Sequence, residues 1–285
     1  MPAASSTTAE RGEPREPVVE RLVGRRADGD PQPRLRAILD RWRVEAGQEK
    51  LPVDIFGLAS MRGIRVENVE SGDWEGRVYV DPRGRPIIEV NGRHALARQR
   101  FTVAHELAHT AFPGFAADRR YRVDSDLAGA VFARNRSEEE RLCDWGAGML
   151  LMPDDLIWSY RADQGLRAVE KLARDAKVSL EAAASRLIEA SRKPAVLLVL
   201  EADGADLKVR YAKVQGLRLF VPRGLRVDDA SVFRRAATTG ARERDTGRLP
   251  SRSRRRFHIE AKSFPLGRGA AAGERVLALA FPASP

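Results

Sequence analysis

The sequence predicts an α+β chain of more than one domain. Three observations lead there. Apolar residues recur at helical spacing in long segments between residues 34 and 151. A strand, turn and strand pattern interrupts those segments. Past Pro194 the texture changes to short runs of strand length. The chain has 285 residues, near the size at which single cores stop growing, and 43% of them are hydrophobic, enough for a substantial core.

The elements follow in order. Residues 1–33 are rich in Pro, Gly, Ser, Thr and charge, and are expected to form a disordered leader. Leu35, Ile38, Leu39 and Trp42 predict a helix from Arg34 to Gly47. A short helix over Val53–Met61 follows Pro52, and Gly63–Val66 reads as a strand. Arg77–Val80 alternates, Asp81-Pro82-Arg83-Gly84 has turn chemistry, and Pro86–Asn91 returns as a second strand. A long helix is predicted from about His94 to Ala111, stopped by Pro113-Gly114, and residues 114–136 read as loop. Another helix covers Glu138–Leu151 and ends at Met152-Pro153. Two shorter helices are predicted over Leu166–Asp175 and Ser179–Ser191, with a domain boundary near residues 192–194. Strands are then predicted at Ala195–Leu200, Leu207–Tyr211, Arg218–Val221, Phe257–Ala261 and Arg275–Phe281.

Composition removes several function classes. The longest apolar runs fall far short of the ~20 residues of a membrane helix, so no membrane partner is expected. Cys143 is the single cysteine and forms no intrachain disulfide, and the N-terminus lacks the apolar core of a secretory signal. A cytoplasmic location is the expectation. The net charge of +10 is uneven: residues 205–256 hold 15 basic and 5 acidic residues, so the remainder is near neutral. The run Arg252-Ser253-Arg254-Arg255-Arg256 reads as a solvated loop. Gly267-Arg268-Gly269 lacks the lysine of a phosphate-binding loop and reads as a turn.

The chemistry is concentrated in His105-Glu106-Leu107-Ala108-His109. Histidines four apart on a helix share one face, and two such imidazoles can bind one Zn²⁺. Glu106 can reach water on that metal without being a ligand, which is the HExxH arrangement of zinc peptidases. A catalytic zinc needs a third protein ligand. Ser137-Glu138-Glu139-Glu140 supplies three candidates and also has the form of a capping box. Glu140 is favoured because Asp144 lies four residues on, on the same face, where it can hydrogen-bond the outer nitrogen of a ligating histidine as a second-shell group. Glu138 and Glu139 read as helix-start residues matched to the macrodipole, and Cys143 as a small buried hydrophobe.

Arg100-Phe101-Thr102-Val103-Ala104-His105-Glu106-Leu107-Ala108-His109, followed by Glu140-Arg141-Leu142-Cys143-Asp144 and the ending Leu150-Leu151-Met152-Pro153, resembles the ImmA/IrrE-type metallopeptidases, and within them the IrrE proteins of Deinococcus. The resemblance implies His105, His109 and Glu140 as zinc ligands, with Mn²⁺ or Fe²⁺ as other occupants, and Glu106 as the catalytic residue. It implies a zincin-like peptidase domain over residues 34–163, a helix-turn-helix-like segment over 164–193 and a GAF-like α/β domain over 194–285. It also implies a substrate, an XRE-type transcriptional repressor whose cleavage releases DNA-damage genes, and a small-molecule or metal signal of unknown identity.

Two other segments bear on function. In the helix-turn-helix-like segment the second helix offers Glu181, Arg186 and Glu189 as its polar face, with one basic residue among them. A DNA-reading helix needs more positive charge, so the pair is expected to buttress the peptidase domain and direct DNA binding is not expected. Pro86–Asn91 could capture an extended substrate if it formed a sheet edge, or else be a core strand. The competing function is a DNA-binding or ligand-sensing regulator with a structural zinc, and an intact Glu106 speaks against it.

Overall fold

The computed structural model describes residues 17–23, 29–70, 74–117, 137–265 and 274–283. Strands β1 (Arg65–Val69), β2 (Gly76–Val80) and β3 (Pro86–Asn91) form a sheet in the order β1-β3-β2. β3 runs parallel to β1 and antiparallel to β2, with Val78 opposite Ile88. Pro86–Asn91 is therefore the central strand and not an edge. Its sequence explains this: Ile87, Ile88, Glu89, Val90 and Asn91 are all buried, as in a strand covered on both faces. The edge beside the helices is β2.

Helices α3 (Ile55–Met61) and α4 (Leu96–His109) pack against this sheet, α5 (Glu138–Leu151) packs on α4, and α2 (Gln32–Glu45) packs on α5. Two glycines set the approach distances. A Cβ on Gly76 would collide with the Thr102 side chain, so α4 lies directly on β2. A Cβ on Gly146 would sit 3.2 Å from Ala108 Cβ and 3.1 Å from Leu39 Cδ1, so α5 is close against both α4 and α2. The Arg100 guanidinium, buried on α4, donates to the carbonyls of Val53 (2.8 Å) and Ala176 (3.3 Å). It ties the start of α4 to the loop before α3 and to the end of a later helix.

The leader expected to be disordered contains α1, Pro17–Val23. Val19, Leu22 and Val23 are buried in the main core, and α1 contacts α2 and α5. Their i, i+3, i+4 spacing is a short apolar stripe that the surrounding polar composition obscures.

After the short helix α6 (Asp154–Ile157) come α7 (Leu166–Ala176) and α8 (Leu180–Glu189). Ser179 caps α8, its hydroxyl oxygen accepting from Ala182 N at 3.1 Å. The polar residues of α8 are engaged within the chain. Glu181 pairs with Arg275 (3.0 Å), Glu189 with Lys213 (2.9 Å) and Trp145, and Arg186 with Asp154 and the Met152 carbonyl.

The C-terminal third holds an antiparallel sheet of β4 (Ala195–Asp203), β5 (Asp206–Gln215), β6 (Glu243–Arg248), β7 (Arg256–Pro265) and β8 (Glu274–Pro282), in the order β5-β4-β8-β7-β6. The run Ala195–Leu200 is buried on both faces. Ala195, Leu197 and Val199 join the core that includes α7 and α8, while Val196, Leu198 and Leu200 join a second core under α9 (Val232–Thr239). Arg218–Val221, expected as a strand, lies outside regular structure, whereas α9 and β6 were not anticipated. Gly267-Arg268-Gly269 and most of the expected 114–136 loop lie outside the described residues. No helix among the described residues is long and apolar enough to cross a membrane.

Candidate metal centre

The site is built by α4 and α5. On α4, burial of Val103, Ala104, Leu107 and Ala108 fixes which way the helix turns, and His105 and His109 emerge together toward α5. On α5, the Ser137 hydroxyl oxygen accepts from Glu140 N at 3.2 Å and starts the helix. The reciprocal half of a capping box is not formed, because both Glu140 carboxylate oxygens lie against the histidines. Oε2 is 3.3 Å from His105 Nε2, and Oε1 is 3.3 Å from His109 Nε2.

The two Nε2 atoms are 3.2 Å apart. Ligands about 2.0–2.1 Å from a tetrahedral zinc would be about 3.3–3.4 Å from one another. The separations of 3.2, 3.3 and 3.3 Å are thus those of three corners of such a site. His105, His109 and Glu140 are the one group among the described residues that could hold a metal ion in this way.

The outer ring nitrogens are also held. His105 Nδ1–H donates to Asp144 Oδ1 at 3.0 Å, and His109 Nδ1–H to Glu139 Oε1 at 2.9 Å. These bonds direct the Nε2 lone pairs toward the shared point. Asp144 was expected there from its spacing. Glu139 was not: it read as a helix-start residue, yet its side chain is 1% exposed and directed at His109. A signal was present, because Glu139 falls in register with Cys143, Gly146 and Leu150, all buried along α5. A carboxylate on an apolar stripe needs a partner.

The electrostatics favour a cation. Burial disfavours the charged form of His105 and is the largest influence, but hydrogen bonds with Asp144 and Glu140 outweigh it and bring the imidazole to about 9. His109 is likewise raised against the effect of burial, through Cys143, Glu139 and Glu140. The two histidines hold Glu140 far below the usual carboxylate range. Burial pushes the Cys143 thiol up to about 11, which keeps it neutral beside His109. Glu106, one residue from His105 and 9% exposed, is raised chiefly by burial, and its carboxylate accepts a hydrogen bond from the backbone N–H of Val78 on β2. α4 and the edge strand β2 thereby meet at this side chain.

These features have counterparts in known proteins. The Peptidase_M78 family model, described as the IrrE N-terminal-like domain, matches residues 59–188. The radiation response metalloprotease IrrE of Deinococcus deserti is 30% identical over 221 residues, covering 71% of this chain and 74% of that one. Its namesake in Deinococcus radiodurans is 27% identical over 233 residues, covering 73% and 67%. In fold alone, a Mycobacterium tuberculosis transcriptional regulator aligns with a TM-score of 0.60 at 16% identity, over 87% of this chain and 76% of that one. With its helix pair, its donor set and these relatives, the chain belongs to the IrrE-type metallopeptidase family, whose members are built around a divalent metal.

Proposed function

We propose that this chain is a zinc-dependent, site-specific endopeptidase of the cytoplasm that cleaves an XRE-type repressor and so releases radiation- and DNA-damage-response genes. The observation that carries the proposal is the convergence of His105, His109 and Glu140 at tetrahedral spacing beside a buried Glu106. In this reading those three residues hold the metal, with Asp144 and Glu139 orienting the histidines. Zn²⁺ suits the nitrogen-rich donor set, although Mn²⁺ or Fe²⁺ could occupy it. A bound metal would supply an acidified water and a Lewis acid for the scissile carbonyl.

Glu106 is the proposed general base and acid. Burial raises it toward the working pH, which suits a group that takes a proton from water and delivers it to the departing amine. The Val78 N–H lowers the group against the effect of burial and so favours the carboxylate form that a base needs. The substrate would lie extended along the edge of β2, using the backbone groups that point away from β3 other than the Val78 N–H taken by Glu106. Selectivity would come from the need for an extended segment and from docking away from the metal, including the basic C-terminal region. The C-terminal sheet is the proposed GAF-like sensory part, responding to a small-molecule or metal signal. The helix-turn-helix-like pair α7–α8 would act as a strut without direct DNA contact, since the polar residues of α8, the second helix, are already engaged.

The repressor substrate comes from the family's role and from the radiation response named in both relatives. Incubating the chain with the XRE-type repressor of its own organism tests it. Cleavage should occur at one or a few bonds, require divalent metal, stop with a chelator, and leave casein largely intact. Rapid digestion of casein beside an untouched repressor would overturn the proposal.

A further inference from the structure

A second site lies on the C-terminal sheet. In the β6–β7 ribbon Arg244 is opposite Glu260, Thr246 opposite His258, and Arg248 opposite Arg256. Directly opposed residues project to the same face. That face looks toward α7, because Glu260 Oε2 accepts from Leu166 N at 2.9 Å and Lys262 reaches Glu170 at 3.0 Å. Between the ribbon and the start of α7 opens a cleft of about 420 Å³, within the range of small-molecule sites. Asp163 and Gly165 form one wall, and Thr246, His258 and Phe281 part of the other.

The charges around the cleft are unbalanced in one place. Asp163 is held by Arg161 and Lys193, Asp245 by Arg235, and Glu260 by Arg242 and Arg244. Arg248 and Arg256, one step beyond the cleft, face each other across the strands. The sequence from Thr246 to Phe257 contains no acidic residue; Arg256 donates to the Thr246 carbonyl at 2.6 Å and lies within electrostatic reach of Asp245, whose own ion pair is with Arg235. Like charges directly opposed on a sheet are destabilising, and an anion between them removes the penalty.

The connecting loop is ordered. Leu249 is buried under the sheet, Ser253 N donates to Ser251 Oγ at 3.3 Å and Arg255 N to Ser253 Oγ at 3.2 Å. Arg252, Arg254, Arg255 and Arg256 are themselves exposed, as expected of a solvated charge run. Thr246 Oγ1 lies 2.9 Å from His258 Nδ1, which orients the imidazole and leaves Nε2 to meet a ligand.

We propose that this cleft binds a small phosphomonoester. The phosphate would lie between Arg248 and Arg256, whose planar guanidinium groups suit bidentate contact with its oxygens. The organic part would enter the cleft beside His258, with the Phe281 ring as its apolar wall. The ligand would span the seam between the sheet and the segment entering α7. The site stands independently of the peptidase reading, and its test does not involve cleavage.

Calorimetric titration of the metal-loaded full chain with adenosine monophosphate, glucose 6-phosphate, inorganic phosphate and adenosine provides that test. At least one organic phosphate should bind more tightly than inorganic phosphate, and adenosine should not bind. The first two compounds distinguish a nucleotide from a sugar phosphate. The double variant Arg248→Ala, Arg256→Ala should bind at least tenfold more weakly. Its fold should be intact by circular dichroism, since both side chains are exposed. A separate His258→Ala variant should weaken the organic phosphates as well. Absence of binding by every phosphate at millimolar concentration would overturn the proposal. So would undiminished affinity in the double variant.

Discussion

Two helix pairs, α4–α5 and α7–α8, carry carboxylates toward their neighbours, and the carboxylates meet different partners. In α4–α5, Glu139, Glu140 and Asp144 all meet imidazoles. In α7–α8, Glu170 meets Arg242 and Lys262, Glu181 meets Arg275, and Glu189 meets Lys213. A carboxylate paired with a permanent cation has its charge satisfied and serves as a fastener. Carboxylates gathered on titratable imidazoles leave a cavity that attracts a further positive charge. The α4–α5 arrangement can hold a metal, whereas the α7–α8 arrangement joins the C-terminal sheet to the rest of the chain.

The largest expected effect is at Glu106. Glu106→Gln should keep metal and fold while lowering turnover about 10²–10⁴-fold, the usual scale of a lost general base. Repressor cleavage at the wild-type rate would remove Glu106 from the mechanism. Next come the residues behind the histidines. Glu139→Gln should weaken metal affinity about 10–100-fold, as measured by competition with a chromophoric chelator. Asp144→Asn should act in the same direction but less, because Asp144 is 30% exposed against 1% for Glu139. Equal metal affinity in Glu139→Gln and wild type would return Glu139 to the role of a helix-start residue. The smallest effect belongs to the strut. Glu181→Gln breaks a partly exposed pair and should cost about 0.2–1 kcal/mol in chemical denaturation, with no change in metal affinity. A loss of metal on that substitution would erase the distinction between the two helix pairs.

Much of the α4–α5 pair was legible in the sequence because its constraints are local. Four-residue spacing brings His105 to His109 and Glu140 to Asp144 on any helix. Glu139 was misread for the same reason: at a helix start it satisfies a local rule, which hid its place on the apolar stripe of Cys143, Gly146 and Leu150. The central place of β3 is likewise a matter of long-range pairing, although consecutive Ile87 and Ile88 hinted at burial on both faces. β6, with the sequence Glu-Arg-Asp-Thr-Gly-Arg, lacks any apolar alternation because it is an edge strand paired only with β7. α1 escaped notice because three apolar residues in a polar leader are too few to register until α2 and α5 cover them.

The central claim is that His105, His109 and Glu140 share one metal ion. Its most direct test is zinc content per chain in the wild type, Glu138→Ala and Glu140→Ala, each purified under the same conditions and dialysed against the same weak chelator. Loss of a helix cap alone would cost about 0.5–2 kcal/mol of stability and leave metal binding intact. The account predicts one zinc per chain in the wild type and in Glu138→Ala, and little or none in a folded Glu140→Ala. Full zinc in Glu140→Ala, together with its loss from Glu138→Ala, would contradict it.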